Sequence, residues 1–336
     1  MLSKIKEIAA VVITASLLQS PAFAEDVGKL VVPGGQSVGV SLSFGGAYVD
    51  DLGDIELNDG TSVSPAREAG IRRGDIITSL NGVDVETVDD FNKLLNRLGD
   101  NDEARLTINR GNDTKEVTLN PARAASDNRL KIGAWIMDAA SGVGTITFYD
   151  PGTGEFAAVG HSIGDAAANN DSSVIGDVYK ADIVGIRRGE SGTPGELIGI
   201  YSENRLKVGE INSSSEYGII GTVSNPENLM SVRPPIILGS RDDVHTGEAR
   251  ICANIEGSRI EEYTIEITDT KTDGEDEKDI IFKVTDEELI AKTGGIVRGM
   301  SGSPIIQDDK IVGSVTHVLV NQPTMGYGIF IENMKK

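Results

Sequence analysis

Residues 64–82 read SPAREAGIRRGDIITSLNG, and this stretch decides the fold of the first part of the chain. The residues that follow Ser64 predict a short helix that ends at Gly70, because a glycine after a helix readily adopts the left-handed backbone. Asp75–Leu80 predicts a strand that ends at Asn81-Gly82, a dipeptide that favours a tight hairpin turn. The stretch therefore predicts a small unit that mixes helix and strand.

A longer helix is predicted after this turn, over Val88–Leu98. Thr87 can cap its first turn, where Asp89 and Asp90 also favour the helix dipole. Gly99 stands where a left-handed C-cap is expected. Apolar side chains recur along one face of this helix and predict packing against a sheet: Val88, Phe91, Leu94, Leu95 and Leu98.

Residues 37–121 resemble a PDZ domain, on the strength of the run from Ser64 to Gly82 and the helix that follows. The resemblance implies a groove between a strand and the helix, in which an extended peptide adds as a further strand. By position, Gly39, Val40, Ser41 and Leu42 would form the edge strand and carboxylate loop of that groove.

The remainder of the chain is rich in short strands. Residues 122–130 are a polar linker, and residues 131–336 contain apolar or alternating runs of strand length without a long amphipathic helix. Many short strands with frequent turns predict a sandwich or a barrel. The fold class expected for the whole chain is therefore mainly β.

The N-terminus has the pattern of a secretory signal. Lys4 and Lys6 precede an apolar run over 8–18, and small residues around Ala24 suit cleavage there. We therefore expect residues 1–24 to be a signal peptide, followed by a linker over 25–36, and the protein to be secreted. The run is short for a transmembrane helix, and an uncleaved anchor that leaves the protein membrane-associated on the extracytoplasmic side is the alternative.

Composition excludes several classes of function. The 336 residues carry a formal net charge of −21, which disfavours nucleic acid and anionic lipid as partners. The lone cysteine, Cys252, cannot form an internal disulfide, and its apolar neighbours predict a buried strand. No Cys/His set has metal spacing, so neither a metal nor another cofactor is expected. Residues 269–280 begin like a calcium loop but end in Ile280; an acidic hairpin of open role is the better interpretation.

Residues 299–304 read GMSGSP and carry the candidate nucleophile. A nucleophilic serine needs backbone N–H groups that face the developing oxyanion, and glycines permit the turn that exposes them. In the trypsin-like arrangement the donors belong to the serine and to the residue two before it, here Ser301 and Gly299. The Ser-Gly-x-Pro spacing of such enzymes favours Ser301 over Ser303. A plain Gly-Ser turn is the alternative.

Three histidines limit the search for a general base. His161 follows an apolar strand and a glycine. At such a position the strand fixes the backbone, and the side chain faces the open end of the strand. The alternative is a histidine that only caps the strand. His317 also follows an apolar strand and could pack behind a site, whereas His245 sits in a polar loop.

Candidate acids for a catalytic triad are Asp165, Asp182 and Asp286. Asp165 could be a turn residue, and Asp286 fits equally well as a helix N-cap followed by two glutamates. Spacing alone does not choose among the three.

These segments together resemble the stage IV sporulation protein B (SpoIVB) peptidases. The resemblance runs over residues 31–332 and is carried by VPGGQSVGV at 32–40, AVGHSI at 158–163 and KTGGIVRGMSGSPIIQ at 292–307. It implies a PDZ domain followed by a trypsin-like double β-barrel over 131–336. It also implies a His–Asp–Ser triad in that order, on matching positions His161, Asp286 and Ser301.

The resemblance further implies a signalling role. In that family the peptidase is secreted from the forespore into the space between two membranes, cleaves itself and clips a membrane-anchored regulator, which leads to activation of a sigma factor. Two other functions are compatible with the residues. One is a secreted PDZ scaffold with an inactive peptidase domain, and the other is a general quality-control protease outside the cytoplasm.

Overall fold

The computed structural model of the protein describes residues 28–111, 113–161, 175–201, 206–229, 233–271 and 278–335. The predicted signal segment, Asp165 and residues 272–277 of the acidic hairpin lie outside these ranges. Within them, no helix is long and apolar enough to cross a membrane.

Strands dominate the described residues, as predicted, and three α-helices accompany them. The first strands are β1 (Leu30–Pro33), β2 (Ser37–Leu52), β3 (Ile55–Glu56), β4 (Ser62–Val63), β5 (Ile76–Leu80), β6 (Val83–Asp84), β7 (Ala104–Arg110), β8 (Asp113–Leu119) and β9 (Ala122–Arg123). The next are β10 (Leu130–Lys131), β11 (Ala134–Tyr149), β12 (Glu155–Ala158), β13 (Ile175–Arg187), β14 (Glu196–Tyr201), β15 (Lys207–Ser215) and β16 (Gly218–Val223). The last are β17 (Ile236–Leu238), β18 (Gly247–Glu256), β19 (Arg259–Thr270), β20 (Ile280–Val284), β21 (Pro304–Gln307), β22 (Lys310–Leu319) and β23 (Gln322–Phe330). The helices are α1 (Pro65–Glu68), α2 (Val88–Leu95) and α3 (Glu287–Thr293).

The first barrel closes through six strands in the order β2, β11, β12, β16, β15, β13 and back to β2. Its interior is filled by side chains that alternate inward along these strands, among them Val40, Phe156 and Val178. Alternation of this kind is what a sheet with one buried face requires. The closed ring explains the apolar, strand-length runs of this part of the sequence.

The second barrel closes in the same way through β18, β19, β20, β23, β22 and β21. Ile251, Phe282 and Val315 lie in its core. Cys252 is fully buried on β18, as predicted. Two successive six-stranded barrels confirm the predicted double-barrel architecture.

The PDZ unit precedes and borders the first barrel. Helix α2 begins at the Thr87 cap, whose side chain accepts the N–H of Asp90, and buries Phe91 and Leu95. The hairpin turn has positive φ at Asn81 (52°) and at Gly82, as the Asn-Gly pair predicts.

Helix α2 ends earlier than its sequence pattern predicts. Its last residue is Leu95 rather than Leu98, and its C-cap is Asn96, whose amide donates to the carbonyl of Asn92. The N–H of Gly99 bonds instead to the carboxylate of Asp102. A side-chain cap inside the predicted helix thus replaces the expected glycine cap.

Strand β2 belongs to both the PDZ unit and the first barrel. The sequence instead predicted that its first residues form one edge of the peptide groove. Its Ala47–Tyr48 part pairs with β5 of the PDZ unit, whereas Gly39–Leu42 pairs with β11 on one side and β13 on the other. Residues with strands on both sides cannot accept a third. The structure therefore does not leave Gly39, Val40, Ser41 and Leu42 as an edge strand, and the start of the predicted PDZ segment lies in the first barrel.

Candidate active site

Ser301 lies in a loop that leads from helix α3 to strand β21. The helix ends at Gly294, whose φ of +83° is a left-handed C-cap, and Gly299 and Gly302 also have positive φ. The Ser301 residue is 8% exposed, whereas Ser303 is completely buried. The accessible serine is thus the one that the sequence favours.

Two threonines of β11 fix this loop to the first barrel. The Thr145 N–H donates to the carbonyl of Ser301 (2.9 Å), and its hydroxyl donates to the carbonyl of Gly299 (2.8 Å). The Thr147 hydroxyl donates to the carbonyl of Gly302 (2.7 Å). All three bonds cross from the first barrel to the second, so strand β11 of the first barrel holds the Ser301 loop in place.

The Ser301 hydroxyl donates a hydrogen bond of 2.6 Å to the carbonyl oxygen of Val159. Val159 stands two residues before His161 and has a φ of +75°, a conformation that is strained for a β-branched side chain. The structure therefore brings the Ser301 loop to the end of the strand that carries His161. In this arrangement, the hydroxyl proton is directed at a backbone carbonyl.

A second histidine, His317, packs against His161. The ring centroids are 5.1 Å apart and the ring planes differ by 35°. Burial, together with the nearby His161 and Lys278, lowers the pKa of His317 to about 4, so its ring is neutral at physiological pH. The sequence indicated that His317 could pack behind a site, from its place after an apolar strand, but it did not identify His161 as the residue that His317 contacts.

The N–H groups of Gly299 and Ser301 have no acceptor among the residues that the structure describes. Their neighbours differ, because the N–H groups of Met300, Gly302 and Ser303 all donate to backbone carbonyls. The left-handed conformation of Gly299, with φ of +96°, is one that glycine adopts without strain. Two unpaired donors therefore flank Met300 on the loop that carries the serine.

Asp286 caps helix α3. One carboxylate oxygen accepts the N–H of Leu289 at 2.9 Å, and the other accepts the N–H of Thr264 at 3.4 Å. The structure therefore shows the alternative role considered for Asp286, that of a helix N-cap. Asp182 lies on β13, opposite Ile200 of β14. These hydrogen bonds do not link Asp286 to His161.

Two other reactive side chains, Cys252 and His245, have hydrogen-bond partners outside the Ser301 loop. Burial raises the pKa of the Cys252 thiol to about 11, which keeps it protonated. His245 is exposed and bonds to the carboxylate of Asp308 at 2.9 Å. Neither residue contacts the Ser301 loop through a hydrogen bond described here.

A cleft of about 820 Å³ lies between helix α2 and the first residues of β11. Phe91 and Leu95 form its helical side, and Ala134–Ile136 forms the opposite side. Over these residues β11 pairs, among the described strands, with β2 alone. The helix and the strand edge beside it are therefore supplied by different parts of the chain.

The fold and the serine loop define a PDZ-containing serine peptidase. Residues 128–335 match the family described as SpoIVB peptidase S55, and residues 42–120 match the PDZ domain. The chain belongs to the SpoIVB peptidase family, and the resemblance seen in the sequence is confirmed.

Comparison with solved structures finds Rv3671c from M. tuberculosis H37Rv, in an inactive form with the serine-to-alanine mutation. The identity is 12% and the TM-score 0.29, over 56% of this chain and 76% of that chain. Comparison with curated proteins gives no match.

The close packing around Gly302 predicts that Gly302→Ala disrupts the loop. An added Cβ would overlap the carbonyl oxygen of Thr145, in a backbone conformation with φ of +96° that already disfavours alanine. We expect a loss of more than about 3 kcal/mol in the free energy of unfolding, measured by urea denaturation.

The matched control is Gly192→Ala. Gly192 has a similar φ of +82°, but nothing lies within 4 Å of an added Cβ, so only the backbone cost of about 1–2 kcal/mol is expected. Equal losses for the two variants would show that the contact with Thr145 does not constrain the loop.

Proposed function

We propose that the protein is an endopeptidase that works through an acyl-enzyme on Ser301. The observation that carries the proposal is Ser301, which is 8% exposed and lies on a glycine loop with two N–H groups that have no acceptor among the described residues, beside the end of the strand that leads to His161. In this mechanism His161 removes the Ser301 proton, and the N–H groups of Gly299 and Ser301 hold the oxyanion.

The hydrogen bond from the Ser301 hydroxyl to the Val159 carbonyl belongs to the resting state of the site. A hydroxyl that donates to a carbonyl cannot at the same time donate to an imidazole, because it carries a single proton. Catalysis therefore requires the Ser301 side chain to rotate, or the Val159 carbonyl to turn away. Such a rearrangement is local, since it involves one side-chain torsion or one peptide group.

Asp286 is the proposed acid of the triad. The matching position in the family resemblance supports this role, while its present hydrogen bonds are those of a helix cap. In the engaged site its carboxylate would orient His161 and stabilise the imidazolium that forms. Capping and orientation make different demands on the side chain, so substitution can separate them.

The cleft between α2 and β11 is the proposed peptide site of the PDZ unit. An extended peptide would add to the open edge of β11 and place an apolar side chain over Phe91 and Leu95. Asp54 and Glu56 line the cleft with Lys131, so carboxylates outnumber ammonium groups there. Basic residues in the peptide would be favoured.

The proposed biological role is limited proteolysis in signalling. The predicted signal over residues 1–24 and the family resemblance support a protein outside the cytoplasm, either secreted or membrane-associated. In an endospore-forming host, this place would be the space between the forespore membranes. Its substrates would be itself and a membrane-anchored regulator whose cleavage leads to sigma-factor activation.

Ser301→Ala should abolish both self-cleavage and labelling by a fluorophosphonate, because it removes the nucleophile. We expect the rate to fall by at least about 10⁴-fold. Mass spectrometry of the mature N-terminus and of the labelled peptide measures both effects. Discrete cuts in wild-type samples would fit signalling, and broad degradation of unfolded casein would fit quality control.

Ser303→Ala is the matched control for this experiment. The Ser303 hydroxyl is buried and has no hydrogen-bond partner among the described residues, so its loss should leave labelling unchanged. Labelling that persists in Ser301→Ala and disappears in Ser303→Ala would reassign the nucleophile. Absence of labelling in the folded wild-type protein would favour the inactive scaffold.

Substitution of Asp286 separates the two roles of this residue. Asp286→Asn and Asp286→Ser retain a capping oxygen and should keep stability within about 0.5 kcal/mol, whereas Asp286→Ala should lose about 1 kcal/mol. If Asp286 orients His161, the Asn and Ser variants should nevertheless label about 10³–10⁴-fold more slowly. Full labelling rates in these two stable variants would leave Asp286 as a cap only.

Trp135 provides a reporter for the proposed peptide site. It is the single tryptophan of the chain, it lines the cleft, and it is 69% exposed. A decapeptide of alternating valine and lysine should change its fluorescence saturably. Asn92→Arg, which fills the cleft with a bulky cation, should weaken this binding at least about tenfold.

Asn96→Arg is the control for the cleft. It makes the same substitution at the end of the same helix, at an exposed residue that does not line the cleft. Equal weakening by both variants, or a fluorescence change without saturation, would argue against peptide binding between α2 and β11.

A further inference from the structure

We propose that His317 is a positioning residue for His161: its ring packs against the His161 ring and holds that ring toward Ser301. The proposal deepens the proposed function and rests on it. Asp286 would act by a hydrogen bond to a nitrogen of the His161 ring, whereas His317 acts by packing against the ring, so the two assignments are compatible.

The backbone leading to His161 does not by itself set the orientation of the ring, which depends on the side-chain torsions. Val159 and Gly160 both have positive φ (75° and 69°), and this left-handed pair turns the chain away from strand β12. Side-chain neighbours must therefore orient the imidazole. His317 supplies one such neighbour, at a centroid distance of 5.1 Å and a tilt of 35°, within the range that aromatic pairs prefer.

Strand β22 brings His317 to this position by contacts with both parts of the site. Val315 accepts the N–H of Gly302 at 2.8 Å and donates its own N–H to the carbonyl of Ser303 at 2.9 Å. A Cβ on Gly160 would overlap the carbonyl oxygen of the same Val315. The pairing of β22 with β23 is irregular between Val315 and Val318, so the direction of the His317 side chain is given by its ring contact with His161 and not by strand alternation.

The charge state of His317 matters to the reaction. When His161 takes the Ser301 proton it becomes an imidazolium, and a cation beside it would oppose this step. Burial keeps His317 neutral, because it lowers the pKa of that ring to about 4. Among the described residues, the charged groups that act on His317 are His161 and Lys278, and the ammonium of Lys278 lies over the ring of Tyr327.

Three substitutions in the full-length chain test the contact, with the second-order rate of fluorophosphonate labelling at Ser301 as the readout. His317→Ala should label at least about tenfold more slowly, because the His161 ring loses its support. His317→Phe keeps a ring and should label within about threefold of wild type, whereas His317→Asn keeps polarity without a ring and should resemble His317→Ala. Rescue by Asn but not by Phe would overturn ring packing as the basis of the effect.

His317→Arg tests the requirement for neutrality through the pH profile. A permanent cation next to His161 lowers the pKa of that imidazole, so the acid limb of the labelling rate should move to lower pH while the plateau falls. An acid limb that does not move would mean that residue 317 does not lie beside the His161 ring in the folded enzyme, and this result would overturn the proposal. Circular dichroism confirms that each variant is folded.

The outcome for wild type separates this inference from the proposed function. If folded wild type is not labelled at Ser301, the proposed peptidase mechanism fails. If wild type is labelled and His317→Ala labels at the same rate, the mechanism stands and the role of His317 is rejected.

Discussion

The contact of Thr145 with the serine loop is the constraint on which the site depends. Ser301 belongs to the second barrel, and its neighbours Val159 and His161 belong to the end of a first-barrel strand. The bonds from Thr145 to Gly299 and Ser301, with that from Thr147 to Gly302, tie the loop directly to β11. Each bond uses a loop carbonyl, which leaves the Gly299 and Ser301 N–H groups available to an oxyanion.

The same constraint explains why the resting hydroxyl lies on Val159. A loop held against β11 faces the end of β12, since Val159 donates its own N–H to the carbonyl of Thr145. The acceptor for the Ser301 hydroxyl is then the backbone carbonyl of a residue in a strained conformation. Strain of about 1–3 kcal/mol at Val159 lowers the cost of turning this residue's backbone, and with it the carbonyl, away from the hydroxyl.

Local patterns predicted much of the fold and of the site. The Asn81-Gly82 turn, the Thr87 cap and the strand-rich second half follow from residue preferences that act over a few positions. Ser301 could be chosen over Ser303 because the Ser-Gly-x-Pro spacing of trypsin-like enzymes is also a local pattern. The pairing partners of a strand, in contrast, cannot be predicted from local sequence. Nothing within Gly39–Leu42 distinguishes a free edge from a strand paired on both sides. The packing of His317 on His161 likewise arises from barrel closure, and a residue such as Asp286 satisfies capping and catalytic patterns equally.

The two proposed sites are not structurally separate, because both are built on β11. Ala134–Ile136 forms one side of the cleft beside α2, and Thr145 of the same strand holds the serine loop. At about 3.3 Å per residue, at most roughly 36 Å of continuous strand separates Ala134 from Thr145. The pairing with β2 is interrupted between Met137 and Ala139, but on each side of this break it resists slippage, because a change of register would move every inward side chain to the opposite face. Displacement of β11 at the cleft is therefore resisted by the same pairing that positions the hydrogen bonds of Thr145.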